Sequence, residues 1–176
     1  MPDAYWQIRD FLEAGGNVLY AIMAVTFLMW TLIAERYWYR FTEYPEALHG
    51  VLATWSGRVD RSSWYARQIR RQLASRIALD LQRSTGSIRA LVALCPLLGL
   101  LGTVMGMIEV FETLALQGNG NPRSMASGVM KATIPTMAGM VAAISGLYFS
   151  VRLDRWASLE AERVEDQLAL GSGNEA

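Results

Sequence analysis

Two threonines and three charges stand out in stretches of sequence that are mostly apolar. Thr103 lies in "PLLGLLGTVMGMIEVF" and Thr136 in "GVMKATIPTMAGMVAAISGLYF", with Lys131, Glu109 and Glu112 close by. A threonine in an apolar run can hydrogen-bond a protonated or hydrated group without adding charge. A lysine near two carboxylates can form an ion pair that lowers the cost of holding charge in a poor solvent. No nucleophile–base set is present, and "GNGN" lacks the strand–helix context of a phosphate loop. The single cysteine, Cys95, rules out an internal disulfide, and the single histidine, His49, leaves no metal cluster to propose. Hence neither catalytic residues, a cofactor nor a metal is expected, and an enzyme is disfavoured.

The elements that must hold these groups follow from where charge is missing. The 176 residues are 52% hydrophobic with zero formal net charge. Three windows contain no charged residue: Ala14–Ala34, Ala90–Ile108 and Ala132–Val151. A bilayer core of ~30 Å takes roughly 20 helical residues to cross. Helices of water-soluble proteins normally keep a polar face, which these windows lack. An all-α membrane protein with three spans is therefore expected. "MPDAYWQIRD" has no basic leader, and no small-residue cleavage pattern follows the apolar run, so the first span is expected to be retained.

Charge also sets the expected orientation. The stretch Glu35–Arg89 holds ten arginines against five acids, while the connection between the second and third spans has only Arg123. The excess of cationic residues places this large loop and the C-terminus in the cytoplasm, and the N-terminus outside. The expected plan is a periplasmic amphipathic N-terminus (1–13), a first transmembrane helix (14–34) and a cytoplasmic helical loop (35–89). A second transmembrane helix (90–116), a periplasmic turn (117–121), a third transmembrane helix (122–151) and a cytoplasmic helix and tail (152–176) follow. In the loop, Trp64, Ile69, Leu73, Ile77 and Leu81 recur at near-helical spacing, and the helix is expected to break near Thr85–Gly86. Trp156, Leu159, Val164 and Leu168 repeat the pattern in the tail. Long helices thus extend into the cytoplasm and need something to pack on. The loop arginines and the acidic run Glu160, Glu162, Glu165, Asp166 read as solvated faces, the acids being candidates for pairing with the arginines. No nucleic-acid partner is expected.

The second and third spans form a hairpin. In "GNGNP", Asn121 can cap a helix that starts at Pro122. A turn centred near residues 118–119 makes antiparallel partner numbers sum to about 237, from a rise of about 1.5 Å on both helices. Thr103 then lies level with residue 134, within a turn of Thr136, and Lys131 lies level with residue 106, near Glu109. Gly99, Gly102 and Gly106 on one helix, and Gly128, Ala132, Gly139, Ala143 and Gly146 on the other, put small residues at spacings that let membrane helices approach closely. Gly102, Gly128, Ala143 and Gly146 are assigned to helix packing. Gly99, Gly106, Ala132 and Gly139 share this spacing. Lys131 is placed to form an ion pair with Glu109 or Glu112 at the outer end of the hairpin.

The two quoted stretches resemble the ExbB/TolQ/MotA proton-channel family, nearest to ExbB and to its short forms from accessory TonB systems. The resemblance is strongest over residues 90–151, and "GLLGTVMGMI" is its most specific part. It implies a homo-oligomer of the Gram-negative inner membrane, typically a pentamer, whose second and third spans line a pore. It further implies an ExbD-type single-span partner inside that pore, whose aspartate carries the proton, and a TonB-like protein that takes the work to the outer membrane. The family's threonines match Thr103 and Thr136, and the resemblance implies that these, with Gly99, Gly106, Ala132 and Gly139, line the pore, Lys131, Glu109 and Glu112 standing at its outer end. One departure stands out: where the family commonly has a glutamate five residues before the third-span threonine, this chain has Lys131. Other readings remain: a TolQ-like envelope motor subunit, a MotA-like motor role, a structural membrane scaffold, or a small self-sufficient channel.

Overall fold

The computed structural model describes residues 2–58, 63–117 and 122–170. Five helices follow one another: α1 (Pro2–Thr42), α2 (Tyr44–Ser56), α3 (Trp64–Gln82), α4 (Thr85–Gln117) and α5 (Pro122–Leu170). Among the described residues, three helical stretches are long and apolar enough to cross a bilayer: Gly15–Thr42, Trp64–Leu116 and Met125–Ala169. Of the expected turn at 117–121, Gln117 is the last residue of α4, and residues 118–121, with the Asn121 cap, lie outside the described residues, as does the end of the tail.

The helix boundaries have local causes. Within α1 the chain leaves helical geometry at Gly16, whose φ of +62° suits a residue without a side chain. Pro45 occupies the first turn of α2, where its missing N–H is no loss. Ser63 caps α3, its hydroxyl accepting from the Ala66 amide at 3.1 Å. The break between α3 and α4 falls at Arg83 and Ser84, two residues before the expected site. Arg83 is extended and Ser84 takes a left-handed φ of +66°. Pro96 and Pro135 sit inside continuous α4 and α5.

The chain divides into two compact units. The first comprises Met1–Thr31 with Arg89–Tyr148, the second Leu32–Ile88 with Phe149–Ala176. In the first, α4 and α5 pack as an antiparallel hairpin and α1 lies against it: Val18 meets Gly102, and Met29 meets Gly146 and Val92.

The second unit has a conventional apolar core. Tyr44, Trp55, Ala66, Ile77, Leu81, Ala157, Val164 and Leu168 are buried together. Each large apolar side chain so buried contributes about 1.5–3 kcal/mol. Trp64 and Leu159, expected in these stripes, are instead exposed at 65% and 56%. The helical period admits a shift of the buried arc, and in α3 the small Ala66 takes the inner position. Arg36 is buried at 6% exposure. Its guanidinium donates to the Asp80 carbonyl (3.1 Å) and to the Ser84 hydroxyl (3.2 Å), pinning the end of α1 to the α3–α4 break. Tyr44 donates its hydroxyl to Glu160 (3.0 Å) and packs edge-on against Trp156. Burial, then the bond to and charge of Glu160, push the Tyr44 phenol well above its ordinary range.

Candidate functional site

The hairpin is held by backbone-close contacts. A side chain at Gly99 would meet the Thr136 Cα at 3.0 Å, one at Gly106 the Ala132 Cβ at 2.5 Å, and one at Gly139 the Cys95 carbonyl at 2.5 Å. Gly102 faces the ring of Pro135, Gly128 faces Val110, and Gly146 faces Met29. In lipid, where apolar association gains little from water, such close packing is what holds helices together. These pairs put Thr103 and Thr136 at nearly one depth, as the turn-centred register requires. Ala143 is half-buried on α5.

The placement corrects one expectation. Gly99, Ala132 and Gly139 are buried in the seam between α4 and α5, with Gly106 beside them, so they do not stand on an open wall of the hairpin. Small residues at three- and four-residue spacing mark a close approach, and that approach is to the other arm of the same hairpin. What an open wall can present is set by the neighbours of the seam residues. On a helix each step turns about 100°. The residues that follow seam positions, Thr103 after Gly102 and Thr136 after Pro135, turn the same way about two antiparallel axes and so share one side of the hairpin. Leu100, Met140 and Leu147 follow Gly99, Gly139 and Gly146 onto that side and are 54–59% exposed. Residues that precede seam positions share the other side: Glu109 before Val110, Lys131 before Ala132, Ala138 before Gly139, Ser145 before Gly146. On that side α1 packs, and Ala138, Ala142 and Ser145 line an apolar groove with its Ile22, Thr26 and Phe27.

Both threonine donors are committed. Thr136 Oγ1 donates across the seam to the Gly99 carbonyl at 2.9 Å, and Thr103 Oγ1 donates within its own helix to Leu100 at 2.7 Å. Their oxygens are left as acceptors.

The expected ion pair is not formed. Lys131, Glu109 and Glu112 are all exposed, and among the described residues no ion pair joins them. Lys131 and Glu109 share a side of the hairpin, but two residues of axial offset and the width of the seam separate them. Glu112 lies further round α4, two steps past Val110. One contributor that periodicity did not single out is Arg36. By charge alone it counts among the topology-setting arginines of the large loop. The signal was present: Met29, Ile33 and Arg36 are spaced by four and three, and all three are buried.

Residues 48–166 match the MotA/TolQ/ExbB proton channel family. A stretch of 96 residues, 52% of the chain, is 38% identical to the biopolymer transport protein ExbB-like 1 of Synechocystis sp. and covers 36% of it. Another of 74 residues, 42% of the chain, is 38% identical to the biopolymer transport protein exbB1 of Vibrio cholerae and covers 32% of it. A third of 65 residues, 37% of the chain, is 37% identical to an ExbB homolog of Methanothermobacter thermautotrophicus and covers 23% of it. The chain thus spans about a quarter to a third of the length of these relatives. The family match runs through α3, α4 and all but the ends of α2 and α5, two thirds of the chain. Helices of membrane-spanning length, a small-residue seam and paired threonines lie within it, and the chain belongs to the MotA/TolQ/ExbB proton channel family.

Proposed function

We propose that the chain is the stator subunit of a TonB-type energy-transducing complex of the inner membrane. In this reading several copies, five by analogy with the family, turn the threonine side of their hairpins inward around an ExbD-type single-span partner. The N-terminus is periplasmic and the C-terminus cytoplasmic. The partner's carboxyl carries the proton, and a TonB-like protein delivers the work to outer-membrane transport. The observation that carries this reading is the pair Thr103 and Thr136, at one depth on the side of the hairpin that α1 leaves bare.

The chemistry of that pair narrows the role. Both hydroxyl protons are held by backbone carbonyls, so the threonine oxygens accept hydrogen bonds from the bore and donate none to it. An acceptor-only ring favours a protonated carboxyl over a carboxylate at that depth. The three uncharged windows contain no carboxylate, so the titrating group has to come from the partner. Each proton falling through 100 mV releases about 2.3 kcal/mol, the drive for moving the partner inside the ring.

The test is co-purification. The chain, expressed with a one-span membrane protein whose span carries an aspartate, is extracted in mild detergent and weighed by native mass spectrometry. The proposal expects a ring of this chain that retains the partner in substoichiometric amount. A ring that excludes the partner favours a structural scaffold, and a monomer overturns the proposal.

A further inference from the structure

The second unit carries two outward faces of opposite charge. On α3, Arg67, Arg71 and Arg76 are exposed beside three apolar groups that a solvated face does not need: Trp64 (65%), Tyr65 (69%) and Leu79 (67%). On α5, Glu162, Glu165 and Asp166 are exposed beside Leu159 (56%). Helix α3 has a net charge of +3, four arginines less Asp80, and residues 153–170 have −3, five acids less Arg155 and Arg163. Among the described residues none of these six exposed charges forms an ion pair within the chain; the acidic run's one pair is Glu160 with Arg163.

Folding itself keeps the two faces apart. Helix α3 turns Ala66, Ile77 and Leu81 into the shared core, and α5 turns Ala157, Val164 and Leu168 into it. Both charged faces therefore point away from that core and cannot meet inside one unit. A second copy of this chain offers each face a complementary surface. A contact between two different patches of identical subunits is head-to-tail, and it closes into a ring when the rotation per step allows. Tryptophan, tyrosine and arginine together are the residues enriched at the centres of such contacts.

We infer that the α3 arginine–aromatic face of one copy docks on the α5 acidic face of the next. The docking depends on the oligomer proposed above, and its test separates the two. Two differently tagged chains are co-expressed in the full complex, one with Arg71→Cys and the other with Glu165→Cys, and oxidised. The native Cys95 is buried and leaves a clean background. The expected result is a disulfide-linked species carrying both tags, absent from either variant alone. Its yield should fall on reversing Arg67 and Arg76 to glutamate, with association weakened about ten-fold, the scale of a few exposed ion pairs turned repulsive. Reversing Glu162 and Asp166 to arginine in the other chain should restore it. An intact oligomer by native mass with no mixed species overturns the docking and leaves the oligomer standing. A monomer overturns both. Loss of arginine-dependent binding to anionic vesicles, with no effect of the acidic substitutions, assigns the α3 face to lipid and overturns the docking.

Discussion

Gly139→Ala tests the seam at its tightest backbone contact. The added Cβ would sit 2.5 Å from the Cys95 carbonyl oxygen and 3.3 Å from the Gly99 Cα. A relaxed contact between a carbon and a carbonyl oxygen needs about 3.3 Å, so the helices must part by about 0.8 Å. The obstacle is backbone in mid-helix, which has no rotamer to change. One turn away, the Thr136–Gly99 bond at 2.9 Å would stretch past the ~3.5 Å at which such a bond is lost. Overpacking costs about 1–3 kcal/mol and the lost bond about 0.6 in a membrane. Removing a helical glycine returns about 0.5–1 kcal/mol, which leaves a net loss of about 1–3 kcal/mol. Gly50→Ala is the control: nothing lies within 4 Å of its Cβ position, so only the helix-propensity gain remains. Thermal unfolding in one detergent at one scan rate, followed by tryptophan fluorescence, compares them. At about 2–4 °C per kcal/mol, Gly139→Ala should melt several degrees below wild type and Gly50→Ala at or above it. A Gly139→Ala protein as stable as Gly50→Ala would refute the close seam.

Three further outcomes are expected. Arg36→Lys cannot reach both the Asp80 carbonyl and the Ser84 hydroxyl, and should lower stability by about 1.5–3 kcal/mol. The same melts measure it. Because the folded state raises the Tyr44 pKa, the unfolded chain ionises first as pH passes about 10. Stability from this group is therefore present below that pH and lost above it, and a series of melts on Tyr44→Phe should show a flatter fall across alkaline pH than wild type. Lys131→Gln should leave proton-driven transport unchanged, since Lys131 is on the side of the hairpin where α1 packs. A large loss of transport would put it in the ion path.

The spans and the hairpin register were readable in the sequence because both depend on local quantities. Uncharged windows report burial in lipid directly, and the turn position fixes which residues oppose each other. The side of the seam was not readable. A run such as Gly99, Gly102, Gly106 shows that something comes close, but the period is the same whether that is a pore occupant or Pro135 and Ala132 on the next helix. The ion pair failed for a related reason: Lys131 and Glu109 share a side, yet pairing also needs matching depth and lateral reach across two helices. Trp64 and Leu159 show the same ambiguity in the second unit. The period allowed them inside, and neighbouring small residues took the place. Arg36 was hidden by composition, since one arginine among ten reads as topology until its spacing from Ile33 and Met29 is noticed.

The claim that matters most is that Thr103 and Thr136 form the chain's contribution to a proton path completed by a partner. The direct measurement is proton flux into liposomes under an imposed potential, read by an interior pH dye. It compares the chain alone, the chain with its one-span partner, and the complex carrying Thr103→Val with Thr136→Val. The account predicts flux only in the intact complex and its loss in the double variant, with the oligomer still assembled. Equal flux from the chain alone, or wild-type flux from the double variant, would contradict it.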